Sequence, residues 1–218
     1  MIVLKFGGTS VGSAEAILKV KTILLNESRQ KIIVCSAMSG VTDQLIELSY
    51  AMQCGDLEKV SNSIEKIQNK HFQLIEQLTR NSTLIQNTHQ KIEIIFNKID
   101  ALINKPFQES FHSMIITSGE LLSTTIISNF LMNEGLPNVL LMAEDFMNIR
   151  SLSNPDIESV KKKLTTYFDL NIDCELFITQ GFIYQKNNVD IGHFSRGGSD
   201  YSAGIIGAAI QAEEVQIW

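Results

Sequence analysis

Apolar residues are distributed along this chain in two patterns. The first is the short unbroken run. Ile2-Val3-Leu4-Lys5-Phe6 is one, and it breaks at Gly7-Gly8-Thr9-Ser10-Val11-Gly12; Lys31 to Ala37 is another, and it breaks at Met38-Ser39-Gly40. Runs of this length bounded by glycine-bearing turns predict buried strands. Each is followed by the second pattern, apolar residues at helical spacing. Ser13 is placed to cap a helix through Ala16, Ile17, Val20, Ile23 and Leu24. Thr42 or Asp43 opens another that runs to about Cys54, with Gly55 as its stop. Two strand–turn–helix units in succession predict an α/β domain on a mainly parallel sheet.

From Asp56 the helical pattern takes over. No glycine occurs between Gly55 and Gly119, and Leu57, Val60, Ile64, Ile67, His71, Leu74 and Leu78 recur at helical spacing. Asn81-Ser82 interrupts them; Ile85, Thr88, Ile92, Ile95, Ile99 and Leu102 resume. This predicts a helical hairpin over about 56–104, packed on itself or on a partner subunit, with His71 as a core histidine. Beyond Pro106, Phe107 to Asn133 predicts a helix interrupted at Ser118-Gly119-Glu120 and closed by Gly135 and Pro137. Asn138 to Met142 predicts a strand, and Asn154-Pro155-Asp156-Ile157 a helix start with an Asn cap. Leu176 to Thr179 is a further strand, Phe182 to Gly192 an antiparallel hairpin turning at Lys186-Asn187-Asn188, and Val215 to Trp218 the start of another strand.

Composition narrows the function. The chain has 218 residues, 44% hydrophobic, enough for a substantial core. A net charge of −6 and a pI near 5.2 argue against nucleic-acid or anionic-membrane binding. No run reaches the ~20 apolar residues of a membrane span, and no charged leader precedes a long apolar stretch. The expectation is a cytoplasmic protein. Three cysteines without metal-ligand spacing predict no disulfide framework.

Two glycine-bearing stretches carry candidate chemistry. In Ser195-Arg196-Gly197-Gly198-Ser199-Asp200-Tyr201 a helix begins where backbone amides lack partners, beside an arginine, and only four arginines occur in the chain. That suits a carboxylate or phosphate, although a plain turn capped by Ser199 or Asp200 fits the same residues. In Lys5-Phe6-Gly7-Gly8-Thr9-Ser10 the lysine precedes the glycines, so this is neither a Walker A loop nor a dinucleotide fingerprint. The Gly7–Ser10 amides can cradle a phosphate with Lys5 neutralising it, and a solvated edge lysine is the alternative.

Taken together, Lys5–Val11, Ser36-Ala37-Met38-Ser39-Gly40-Val41-Thr42-Asp43, Gly119-Glu120, Thr179-Gln180-Gly181-Phe182-Ile183 and Arg196–Tyr201 resemble, in order and spacing, the signature blocks of the aspartokinases. The resemblance implies the amino-acid-kinase (carbamate-kinase-like) fold, a three-layer α/β/α sandwich with a mostly parallel sheet. It implies phosphorylation of the β-carboxylate of L-aspartate by ATP with Mg2+, the first step toward lysine, threonine and methionine, by an enzyme that is a homodimer. Carried over by position, Lys5 with Gly7, Gly8, Thr9 and Ser10 faces the phosphates. Arg196 with Gly197, Gly198 and Ser199 faces a carboxylate of aspartate, and Glu120 its ammonium. Ser36 and Thr42 line the substrate side, Phe182 walls the pocket, and Asp200 orients Lys5 or the donors. A helix-surface acid at Glu120, an N-cap at Thr42 and a first-turn acid at Asp200 are the plain alternatives.

The chain departs from the pattern in two places. His193-Phe194-Ser195 stands where Leu-Gly is usual. The family also continues beyond the position of Trp218 with the rest of an ATP lobe and ACT regulatory domains. Residues 1–218 are therefore expected to be a substrate-binding lobe, incomplete at the C-terminus, with little kinase activity alone. A non-catalytic amino-acid or anion-binding module, or an acetylglutamate or glutamate 5-kinase, is the competing expectation.

Overall fold

The computed structural model describes residues 1–149, 155–186, 190–195 and 197–218. In chain order, β1 (Ile2–Phe6) leads into α1 (Ala14–Asn26), and β2 (Lys31–Cys35) into α2 (Val41–Cys54). The paired helices α3 (Leu57–Leu78) and α4 (Ser82–Ile103) follow, then the 25-residue α5 (Glu109–Asn133). Short β3 (Val139–Leu141), α6 (Ala143–Phe146) and β4 (Asn148–Ile149) precede α7 (Ile157–Leu170) and β5 (Leu176–Gln180). A hairpin of β6 (Ile183–Lys186) and β7 (Asp190–His193), then α8 (Gly198–Ile210) and β8 (Val215–Ile217), come last.

The main sheet has the order β3-β5-β2-β1-β8, and every neighbouring pair is parallel. Its central strands β1, β2 and β5 are buried throughout because both faces are covered. Ile2, Leu4, Phe6, Ile33 and Cys35 point into a core shared with α1 to α5, while Val3, Ile32 and Val34 point into a second core under α6 to α8. The result is the expected three-layer α/β/α sandwich. Burial pushes the Cys35 thiol up to about 12, as befits an inert core residue. A small second sheet, β4-β6-β7, has β6 and β7 antiparallel as expected, and its turn at 187–189 lies outside the described residues. β4, two residues long, had no counterpart in the sequence pattern.

Several helix ends follow the predicted chemistry. The Ser13 side chain accepts from the Ala16 amide, and Gly55 closes α2 in the left-handed conformation. Others differ. Left-handed Gly40 is the cap of α2, so Thr42 and Asp43 fall within its first turn rather than before it. The Asp156 carboxylate, accepting from Ser159 N at 3.0 Å, caps α7. Pro155 therefore precedes the cap, and Asn154 lies outside the described residues.

The largest difference is α5, which runs through Ser118-Gly119-Glu120 without a break. A Cβ on Gly119 would lie 2.8 Å from the Ala37 Cβ and 3.1 Å from a Leu45 methyl. This glycine allows the helix to press against the turn after β2 and against α2. That packing outweighs a helix-propensity cost of about 1 kcal/mol. α5 is long and apolar enough to cross a membrane, and its apolar stretch is mostly buried in the protein.

The α3–α4 pair packs on itself and on α2 and α5. Val60, Ile64, Ile67, His71 and Leu74 are buried as expected, whereas Leu57, just after the Asp56 cap, is exposed. On α4 the buried stripe includes Leu84 and Phe96, with Ile85 and Ile95 only half-buried. His71 is fully buried, edge-on to Phe96. Its Nδ1 lies 2.7 Å from the Ile67 carbonyl, which only accepts, so Nδ1 carries the hydrogen and Nε2 is left without a partner. Burial pushes this imidazole down to about 4. A depressed histidine stabilises the fold above the ordinary value near 6.5, and that contribution is lost as pH falls toward 4. His71→Leu is expected to remove roughly 2–3 kcal/mol of acid sensitivity between those values. Urea unfolding of both proteins at about pH 7 and about pH 4.5 measures it; parallel losses would show that His71 is not the acid-labile group.

Candidate active site

In a parallel sheet all the strands end at one edge, and ligands bind beyond it. Phe6 pairs with Cys35 and Cys35 with Gln180, so β1, β2 and β5 end side by side. Lys5 near the end of β1, Ser36 just after β2 and Phe182 just after β5 line one cleft of about 570 Å³. Of the residues singled out from the sequence, Lys5, Ser36, Thr42, Glu120, Phe182, Gly197, Gly198, Ser199 and Asp200 all line it. Gly7, Gly8, Thr9 and Ser10 form the turn directly after Phe6 and are not among the residues that line the cleft. Arg196 lies outside the described residues.

Lys5 is largely buried, and its Nζ sits 2.6 Å from Asp200 Oδ1 at the start of α8. Asp200 is half exposed, so the pair presents a cation held from one side at the rim of the cleft. The adjoining turn is partly satisfied internally. The Gly7 amide donates to the Trp218 carbonyl, and those of Ser10 and Val11 donate to the Gly7 carbonyl. Among the described residues, the Gly8 and Thr9 amides carry no backbone hydrogen bond. Gly8 must be small, since a Cβ there would lie 2.8 Å from the Ala37 carbonyl oxygen.

On the far side, α8 begins at left-handed Gly197 rather than at a side-chain cap by Ser199 or Asp200. The Gly198 amide bonds the Ser195 carbonyl, and those of Asp200 and Tyr201 bond Gly197. Among the described residues the Ser199 amide has no such bond. Phe182 holds a positive φ of 68°, which costs a non-glycine residue energy and is kept only where the surroundings fix it. Here the Phe182 amide donates to Ser202 Oγ at 3.0 Å, and its carbonyl accepts from Phe194 N at 2.9 Å. Ser36 is fixed likewise, its amide on the Phe6 carbonyl and its carbonyl accepting from Ser123 Oγ at 2.8 Å.

Glu120, on α5, is 3% exposed, which rules out the helix-surface alternative. Its Oε1 accepts from the Ala37 amide at 3.1 Å, and among the described residues its Oε2 is buried without a partner. A carboxylate satisfied on one oxygen only, in the wall of a cleft, is suited to a cationic ligand.

The whole chain, residues 1–218, matches the model of the amino acid kinase family. It belongs to that family. Among characterised proteins, it is 31% identical to the chloroplastic bifunctional aspartokinase/homoserine dehydrogenase of Daucus carota, over 98% of this chain and 24% of the relative. It is 27% identical to lysine-sensitive aspartokinase 3 of Escherichia coli K12, over 100% of this chain and 48% of the relative. The crystal structure of E. coli aspartokinase III in complex with aspartate and ADP matches with a TM-score of 0.86 at 26% identity, covering 100% of this chain and 48% of that one. The chain thus spans between a quarter and a half of the length of these relatives.

In this member of the family the cleft extends further than the motifs do. Stepping back along α5 by four residues from Glu120 reaches Ile116 and then His112, both of which line it, as do Tyr50 of α2 and His193 of β7. The spacing was readable once Glu120 was known to face the cleft; a lone histidine without a partner pattern was not. Burial pushes the Glu120 carboxyl up to about 8, against the lowering effect of the Ala37 amide. A carboxyl whose folded value is raised stabilises the fold below its ordinary value near 4.5, and that stability is lost as pH rises through about 8. Glu120→Gln is therefore expected to overtake the wild type in stability, by about 1–3 kcal/mol, between about pH 6 and about pH 9. Thermal denaturation of the ligand-free proteins at both values tests this; a pH-independent difference would mean that the carboxylate ionises in place without cost.

Proposed function

We propose that this chain carries the acceptor site of an aspartokinase, which transfers the terminal phosphoryl group of ATP to the β-carboxylate of L-aspartate. The observation that carries the reading is the placement in one cleft of the Lys5–Asp200 pair and the buried, half-partnered Glu120. An amino-dicarboxylate needs an anion for its ammonium and cations or amides for its carboxylates, and the cleft provides both. The similarity to aspartokinases, one of them solved with aspartate and ADP, supports the same substrates.

In this reading Glu120 takes the ammonium, and Ser199 N–H with Arg196 takes the α-carboxylate. The β-carboxylate, with an ordinary pKa near ~3.9, is already ionised at neutral pH and needs no general base. Catalysis then consists of alignment and charge neutralisation. Lys5, held by Asp200, lies where charge develops between acceptor and donor, and the Gly8 and Thr9 amides face the donor phosphates. A Mg2+ would be carried on the nucleotide phosphates. Asp200 is the carboxylate that would face it, and the ion's part is to neutralise phosphate charge. The homodimer implied by the sequence resemblance belongs to the same proposal.

Calorimetric titration with L-aspartate tests the reading. The protein is expected to bind L-aspartate and to bind N-acetyl-L-aspartate, whose ammonium is blocked, at least about tenfold more weakly, because Glu120 would be left facing no cation. Arg196→Ala is expected to weaken L-aspartate binding by a similar factor. Equal binding of the acetylated compound would overturn the assignment of Glu120.

A further inference from the structure

The outer half of the cleft is built from residues that the phosphoryl-transfer reading does not use. His112 of α5 and His193 of β7 both line it, with ring centroids 6.1 Å apart. Each ring is tied at Nδ1. For His112 the partner is the hydroxyl of buried Ser49 on α2, at 2.8 Å. For His193 it is the Phe194 carbonyl, at 3.2 Å, which only accepts, so this Nδ1 carries the hydrogen. The other face of the arrangement leads inward. The His193 ring stacks on Phe182, centroids 5.0 Å apart and planes 23° from parallel. Phe194, bonded through its amide to the Phe182 carbonyl, presses on the first turn of α8; a Cβ on Gly198 would lie 2.4 Å from the Phe194 Cβ. One run of contacts therefore joins Ser49, His112, His193 and Phe182, and ends against the turn that carries Ser199 and Asp200.

We infer that His193 is a positioning residue for the acceptor site, and that His112 and His193 together form a proton-sensitive latch on the β6–β7 hairpin. The inference rests on the acceptor-site reading given above. With the rings uncharged, the hairpin lies against α5 and Phe182 is held over the cleft. With both rings charged, repulsion across the 6.1 Å gap drives the hairpin and Phe182 outward and weakens acceptor binding. Two unit charges about 6 Å apart shift an equilibrium about threefold even at the dielectric constant of water.

The surroundings agree with this direction. Burial is the main influence that lowers the His112 value, His193 lowers it further, and Glu109 opposes both. The other titratable groups that line the cleft are Asp43 and Tyr50 of α2, Glu120 of α5, Lys5 of β1 and Asp200 of α8. Tyr184 of β6 sits against Gly192 and Phe194.

Two substitutions separate the latch from the protonation of Glu120, which also weakens binding at low pH. His193→Phe keeps a ring to stack on Phe182 but takes no charge, and His112→Asn keeps a polar partner for Ser49. L-Aspartate affinity is measured by calorimetry for each protein between about pH 7.5 and about pH 5.5. The ratio of wild-type to His193→Phe dissociation constants is expected to rise about threefold or more toward acid, and His112→Asn to behave like His193→Phe. His193→Ala should bind more weakly at every pH. In ligand-free protein, imidazole proton spectra should show the His112 titration midpoint moving up when His193 becomes Phe. A ratio that stays flat, or an unmoved His112 midpoint, overturns the latch. So does a ratio that falls toward acid, which would make the pair an anion-binding subsite. Should no aspartate bind at any pH, the acceptor reading fails, and the latch stands or falls on the ligand-free spectra.

Discussion

The geometry of the cleft depends on how closely the backbone at Ala37 is approached from two sides. Its carbonyl lies against the Gly8 turn after β1, and its Cβ lies against Gly119 of α5; neither approach leaves room for a side chain on the glycine. Its amide, between them, is the donor that holds Glu120. One residue after β2 thus sets the spacing between the turn after β1, the sheet edge and the helix that brings the buried carboxylate. Close packing of this kind does not deform gradually, so an added methyl group at either glycine would be felt throughout the cleft.

The cleft also holds costly groups that the fold alone does not require. Glu120 has one orphaned oxygen, Phe182 a left-handed backbone, and Lys5 is largely buried against a partner that is half in solvent. Each would be more stable in another arrangement, and all of them face the same space. Buried His71 shows, by contrast, what an orphaned polar atom means where no cleft adjoins it: a packing compromise on an apolar stripe, with acid sensitivity as its consequence.

Most of the fold could be read from the sequence, because buried parallel strands and amphipathic helices leave patterns of their own. β1, α1, β2, α2 and the α3–α4 pair fall where periodicity and turn residues placed them. What could not be read depended on distant partners. Gly119 looks like a helix break until Ala37 and Leu45 are known to lie against it. β4 is too short to leave a pattern and exists because β6 is there to pair with it. The site was legible as separate glycine-bearing blocks, and the sheet register is what brings them together. His112 carried no signal at all, since its significance lies in Ser49 and His193, which no spacing in the chain relates to it.

The bond from the Gly7 amide to the Trp218 carbonyl has a consequence for how the molecule is made. β1 and the turn after it are synthesised long before β8, yet it is β8 that fixes the turn. A contact of such sequence separation closes late and slowly in folding. Until it forms, the turn after β1 keeps an amide unpaired, and it acquires its shape only when β8 has docked beside β1.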